Sequence, residues 1–225
     1  MHANFAAFWK IKNCPAFLRG LLYRSYYMKK KTLLLCTGLS GSGKTYFVKN
    51  TLPNGLFYCL KSAATRPMRD GESNGNPYYF VSEPEFNNLE LATRLWVNEA
   101  FWTPEKPKWM YGVPEFEIKN NMGKNLVYDV IQPKYAKQLI DWFKINGLSN
   151  MYSFRVAYFL PPANNMQTVA KRANMPDDID VRRTNTCDPI DFLRAGLDID
   201  YILQPRNNIY SPRLQAYIKR LQNQK

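Results

Sequence analysis

Histidine is almost missing. The single one among 225 residues is His2, so imidazole acid–base machinery and any histidine-rich metal site are excluded. Cysteine is sparse: Cys14, Cys36, Cys59 and Cys187 stand far apart with no C-x-x-C pair. Cys36 and Cys59 lie in apolar, strand-like runs, which predicts reduced core thiols and a cytoplasmic compartment. No run of about 18 apolar residues occurs, which excludes a membrane-spanning helix. Acidic residues are absent from the first 31 positions, where Lys10, Lys12, Arg19, Arg24, Lys29, Lys30 and Lys31 carry seven of the net +13 and leave +6 to the remaining 194 residues. A residual charge of that size suits an enzyme handling anions and does not by itself argue nucleic-acid binding. The chemistry left open is phosphate chemistry, where positioning and charge do most of the catalysis. Hydrophobic residues make up 45%, ample for one domain with small insertions.

The organising stretch is Thr32 to Phe47, TLLLCTGLSGSGKTYF. An apolar, partly β-branched run leads into Gly38-Leu39-Ser40-Gly41-Ser42-Gly43-Lys44-Thr45, which fits G-x-x-x-x-G-K-[ST] at every fixed position. Glycines at 38, 41 and 43 let the backbone turn and bring successive N–H groups against phosphate oxygens. Gly38, Ser40, Gly41, Ser42, Gly43, Lys44 and Thr45 are therefore the expected ATP-binding residues. Lys44 reaches the β and γ phosphates in such a loop, and the Thr45 hydroxyl holds Mg²⁺.

Upstream, residues 1 to 27 are basic and aromatic. Three readings stay open for them: an arm touching membrane or nucleic acid, a targeting peptide, or an extension appended ahead of Met28 and outside the core. Downstream, Pro53-Asn54-Gly55 predicts a turn, and Leu56 to Leu60 a second short strand. Lys61 to Ser82 holds too many prolines and glycines for a long helix. Arg66 and Arg69, Glu72 and the pair Tyr78-Tyr79 offer convergent donors, an acceptor and aromatic stacking, the makings of a second phosphate-and-base site.

GLSGSGKT followed by ATRPMRDGESNGNPYYFVS and then Glu85-Phe86 resembles guanylate kinase, whose pattern is a P-loop followed by TTRxxRxGExxGxxYxFVSxxEF. The spacing from Thr65 through Phe86 matches without a gap. The resemblance implies that Ser62, Arg66, Arg69, Glu72 and Tyr78 hold a nucleoside monophosphate, with both arginines and Tyr78 on its phosphate. Guanidinium forks suit phosphate oxygens better than lysine does. Tyr111-Gly112 resembles the family's YG(T/S), and Glu99 corresponds to the acidic position that reads the guanine edge. Val113 stands where the family has a small hydroxyl residue, and Thr103 to Lys108 is an insertion.

Asn125 to Ile131, NLVYDVI, is a buried-type run ending at Asp129. A carboxylate at a strand end beside a P-loop holds Mg²⁺ or its water, so Thr45 and Asp129 are the expected metal ligands; capping of the next helix by Asp129 stays open as the structural alternative. The family has Asp-x-Asp here and this chain keeps one aspartate. Pro133 to Ile145 shows one apolar stripe of period 3.6, Tyr135, Ala136, Leu139, Ile140 and Phe143, closed by Gly147. Phe154 to Leu160 is a further buried strand, stopped by Pro161-Pro162. Residues 166 to 185 correspond to the family's lid, with Arg172, Arg182 and Arg183 as charge clamps. Catalysis is assigned to Lys44, Arg66, Arg172 and Arg183. Asp188-Pro189 predicts a short helix to Gly196, Asp200 to Leu203 a last strand, and Ser211-Pro212 the start of a final helix with Leu214, Tyr217, Ile218 and Leu221 inward.

The expected architecture is a three-layer α/β P-loop parallel sheet over residues 28 to 225, with an inserted acceptor-nucleotide subdomain at 62 to 113 and a short lid. The expected reaction is ATP-dependent phosphorylation of GMP or dGMP with Mg²⁺. Two alternatives stand beside it: a non-catalytic guanylate-kinase-like module binding phosphorylated or acidic peptides, and a kinase of another nucleotide or of a nucleic-acid end. Nucleic acid is not an expected partner beyond contacts of the basic N-terminal arm.

Overall fold

The structure is a computed structural model that describes residues 30–38, 42–68, 70–96, 109–129, 132–160, 189–203 and 212–223. In chain order these form β1 (Lys31–Gly38), α1 (Lys44–Tyr46) running into a π-helical turn (Phe47–Thr51), β2 (Tyr58–Cys59), β3 (Ala63–Ala64), β4 (Tyr79–Phe80) and α2 (Glu83–Asn87). Then follow β5 (Leu95–Trp96), β6 (Met110–Gly112), α3 (Glu115–Lys119), β7 (Leu126–Asp129), α4 (Pro133–Ile145), β8 (Tyr152–Phe159), α5 (Pro189–Ala195), β9 (Tyr201–Leu203) and α6 (Pro212–Gln222).

The main sheet has the order β2-β7-β1-β8-β9, and all its pairings are parallel. β1 is its central strand: after exposed Lys31 every residue to Gly38 is buried, as a parallel strand covered on both faces requires. Because successive side chains alternate, Leu33 and Leu35 join one core with Tyr135, Ala136, Leu139, Ile140 and Phe143 of α4. Leu34 and Cys36 join the other, with Phe47 and with Leu214, Tyr217, Ile218 and Leu221 of α6. Both helical stripes read from the sequence face the sheet. Each fully buried Leu or Phe contributes about 1.5–3 kcal/mol by leaving water. α4 begins with Pro133 in its first turn and the chain leaves it through Gly147 at φ 72°, the left-handed conformation glycine tolerates best.

A second sheet, in the order β4-β3-β6-β5, lies within the expected acceptor segment. Its own small core brings together Ala63, Phe86 and Met110. The F-V-S-x-x-E-F stretch has a local reason for its residues. Ser82 caps α2, its backbone N–H donating to Glu85 Oε2 at 2.7 Å while its hydroxyl accepts from the Glu85 N–H at 3.4 Å, a reciprocal capping box. Phe86, fully buried, follows from that start.

One expectation is corrected. Cys36 is a buried thiol but Cys59 is exposed. β2 is the edge strand of the main sheet and only two residues long, so Tyr58 and Leu60 donate to β7 and its flank while the intervening side chain faces out. Among the described residues, no helix is long and apolar enough to cross a membrane.

Candidate active site

At the carboxyl end of β1 the chain turns at Gly38, φ 143°. A Cβ there would lie 2.5 Å from the Phe159 carbonyl oxygen and 3.0 Å from its Cβ, so the loop can press against β8 only because position 38 has no side chain. Gly38→Ala is expected to cost about 1–3 kcal/mol of stability through the forced backbone shift. Urea unfolding checks this, and an unchanged midpoint would show that β8 gives way freely.

The Ser42 hydroxyl is buried and lacks a hydrogen-bond partner. Gly43 precedes α1 at φ 95°. Lys44 is 5% exposed. Its ammonium donates to the Gly38 carbonyl at 2.9 Å and stands 3.9 Å from Asp129 Oδ1. Thr45 Oγ1 donates to Asp129 Oδ2 at 2.7 Å. Parallel pairing of β1 with β7 sets Cys36 beside Asp129, which carries the carboxylate to the mouth of the loop. The donor set fits Mg²⁺ with nucleotide phosphates: a hydroxyl and one carboxylate side by side, oxygen ligands only, and a buried hydroxyl lacking a partner. No group of three or more His, Cys, Asp or Glu residues that could hold a metal occurs among the described residues. A magnesium ion carried largely by phosphates does not require one.

The second group lies on β3, β4 and the loop between them. Arg66 is 5% exposed and both of its terminal nitrogens donate to Glu72, Nη1 to Oε2 at 2.7 Å and Nη2 to Oε1 at 2.6 Å. That pairing raises the guanidinium pKa above its ordinary value. The Tyr78 and Phe80 rings lie against the guanidinium, each with its centroid 5.1 Å away, and Tyr78 meets Tyr111 edge-on at 5.7 Å. Burial, then the neighbouring Tyr111 and Asp129, push the Tyr78 phenol far above its usual range. Tyr78 also stands within electrostatic reach of the carboxylate at the P-loop.

Within electrostatic reach of Tyr78 sits a corner of buried hydroxyls around Tyr128. Ser62 Oγ and Tyr128 Oη are 3.0 Å apart, and the Thr93 hydroxyl lies against the same phenol. Thr93 Oγ1 also accepts the Val113 N–H at 3.1 Å. Val113 is fully buried in the apolar core with Leu60, Ala92 and Ile118, so this position offers packing and no hydroxyl. Nothing in the sequence marked Thr93, which comes within reach of Tyr128 only through the pairing of β6 with the segment before β5. Glu117 was also unmarked. Buried in α3, it accepts from the Lys61 N–H at 3.1 Å and the Tyr79 hydroxyl at 2.7 Å, tying the two sheets together.

The structure thus brings Gly38, Ser42, Gly43, Lys44, Thr45 and Asp129 to one end of the main sheet, and Ser62, Arg66, Glu72, Tyr78 and Tyr111 to the adjoining small sheet. Ser40, Gly41, Arg69, Glu99, Arg172, Arg182 and Arg183 lie outside the described residues, as do the N-terminal arm at 1 to 27, the 103 to 108 insertion and the lid at 166 to 185.

A parallel sheet whose central strand runs into a glycine loop, with a buried lysine, a hydroxyl and a strand-end carboxylate at its mouth, defines an α/β protein of the P-loop class. No family model matches the chain. A guanylate kinase of Ehrlichia chaffeensis is 47% identical over 136 residues, 58% of this chain and 58% of that protein. A guanylate kinase of Clostridium tetani is 41% identical over 105 residues, 46% of this chain and 48% of that one. The crystal structure of guanylate kinase from Anaplasma phagocytophilum is similar over 87% of this chain and 86% of its own, with 21% identity and a TM-score of 0.48. Over these stretches the chain is similar in sequence to guanylate kinases, and it spans about half the length of the curated relatives it matches.

Proposed function

We propose that the chain transfers the γ-phosphoryl of ATP to a nucleoside monophosphate, most simply GMP or dGMP, giving the diphosphate and ADP. The observation that carries this is the juxtaposition of two anion sites of different design. One is a glycine loop with buried Lys44 and Thr45; the other is a guanidinium at Arg66 held between Glu72 and two aromatic rings. A non-catalytic module binding acidic peptides would have use for the second site alone.

In this reading Lys44 places its charge on the phosphoryl that moves, and the N–H groups around Gly43 and the Ser42 hydroxyl hold the donor phosphates. Arg66, Arg69 and Tyr78 hold the acceptor phosphate in line. That phosphate is already an anionic nucleophile, so no side-chain base is required and alignment supplies most of the rate. Thr45 and Asp129 would hold Mg²⁺, which neutralises phosphate charge when bound. Arg172 and Arg183 of the segment 166 to 185 would close over the transferring group and exclude water. The acceptor subdomain is read as residues 62 to 113 of a domain at 28 to 225, with residues 1 to 27 as an appended basic arm. The compartment is read as cytoplasmic, in keeping with the free thiols of Cys36 and Cys59.

A coupled ADP assay with ATP, Mg²⁺ and a panel of nucleoside monophosphates tests this. ADP release that depends on GMP or dGMP is expected. If no nucleotide in the panel releases ADP while a phosphorylated peptide binds, the chain is a binding module.

A further inference from the structure

A cleft of about 490 Å³, a volume that suits a nucleotide-sized ligand, opens at the amino end of the main sheet, where the proposed reaction has no part. Lys31 begins β1 and Gly38 ends it, so roughly 23 Å of strand separates this cleft from the glycine loop. The parallel register sets Leu126 of β7 beside both Leu33 of β1 and Tyr58 of β2. The three strands therefore start at one level, and Lys31, Lys124 and Phe57 meet at their common edge with Lys30 among them.

The floor of the cleft is fixed by its own hydrogen bonds. Asn125 accepts the Thr32 N–H at 2.9 Å and donates to the Leu56 carbonyl at 3.2 Å, and the Gly123 N–H donates to the Tyr152 hydroxyl at 3.0 Å. Leu56 and Leu221 are buried and Phe57 and Tyr58 half-buried, so apolar and aromatic surface adjoins the ammonium groups. Those charges have no carboxylate of their own. Lys30 donates to the Ser149 carbonyl and Lys124 to the Asn121 side-chain oxygen, each at 2.8 Å, and the Lys124 ammonium lies 4.9 Å from the centre of the Tyr58 ring. All three partners are neutral. No ion pair among the described residues involves Lys30, Lys31 or Lys124. Glu117, which faces the Tyr58 hydroxyl, is buried and already accepts from the Lys61 N–H and the Tyr79 hydroxyl. The stretches of sequence that contain Lys30 and Leu221, residues 1–31 and 204–225, hold no aspartate or glutamate.

We infer that this basic cleft is a further anion site, remote from the proposed catalytic one, and that it takes a small organic phosphate of nucleotide size. The ammonium groups of Lys30, Lys31 and Lys124 meet the phosphate oxygens, and a planar body lies against Phe57 and Tyr58. Lysine suits that task, since each ammonium is a compact charge with three donors on a flexible stem. The inference does not depend on the kinase reading.

Amide chemical shifts of the ¹⁵N-labelled full chain, titrated separately with ADP and with inorganic pyrophosphate, locate the binding. Both probes are expected to move the Gly55, Gly123 and Asn125 amides saturably, ADP with the lower Kd because its planar body adds contact. Gly43 and Thr45 report the glycine loop in the same spectra. Lys124→Gln should weaken binding read at positions 55, 123 and 125 by about tenfold or more, the loss of one charged hydrogen-bonding partner, with binding read at positions 43 and 45 changed less than about threefold. Lys31→Gln, on a different strand, should do the same, and it stands in if Lys124→Gln unsettles the turn at Asn121.

Unmoved amides at 55, 123 and 125 overturn the inference, and so does a response that both variants leave unchanged. Pyrophosphate binding as tightly as ADP would overturn the assignment to an organic phosphate. A single-stranded oligonucleotide that moves the same amides with a lower Kd than ADP would also overturn it, and reassign the cleft to nucleic acid.

Discussion

Lys44→Ala is expected to lower kcat by about 10²–10³-fold, the loss typical of removing one charge-stabilising group from a reaction centre, with the fold retained. The ammonium lies in the described structure between the Gly38 carbonyl, at 2.9 Å, and Asp129, at 3.9 Å. It braces the loop from which it projects and packs in neither apolar core. Its removal leaves the Asp129 carboxylate still bonded to Thr45 at 2.7 Å, so no buried charge is stranded and the thermal midpoint should move only a few degrees. Steady-state kinetics with ATP and GMP, paired with a melting curve, make the measurement. Turnover within tenfold of wild type would remove Lys44 from the transfer step.

Arg66→Ala is expected to act on one substrate only. Truncating it deletes the proposed acceptor-phosphate cation and removes the two hydrogen bonds that Glu72, 16% exposed, accepts from the guanidinium. Breaking a buried, hydrogen-bonded charge pair costs about 2–5 kcal/mol, so kcat/KM for the monophosphate should fall by about 10²–10³-fold while KM for ATP changes less than threefold. Arg66→Lys should not restore it. A lysine is a point charge, and it cannot meet both Glu72 oxygens at 2.6 and 2.7 Å as the guanidinium fork does. Equal losses for both nucleotides would move this loop to the ATP side of the site.

The two substitutions separate what the two anion sites do. Gly38→Ala, through the Phe159 carbonyl 2.5 Å from the missing Cβ, probes the seat of the first.

Much of this was legible in the chain itself, where the information is local. The P-loop is eight consecutive residues, and glycine's missing Cβ and the lysine's charge act within that span. α4 and α6 declared their inward faces because a period of 3.6 is a property of contiguous sequence, and Tyr135 to Phe143 and Leu214 to Leu221 are buried as that period requires. The start of α2 was written in Ser82 and Glu85, three residues apart. Pairings across the chain were decided only by the tertiary structure. Cys59 reads as a core thiol until β2 proves to be a two-residue edge strand. Arg66 and Glu72 were both marked as ligand-holding residues, yet the fold locks them to each other. Ser62, Thr93 and Tyr128 span 66 positions with no shared periodicity, and meet because β3, β6 and the end of β7 converge. Local propensity and spacing act over a few residues. Which hydroxyl faces which, and which carboxylate is already engaged, depends on strand order and register, and those are set by the burial of both sheet faces at once.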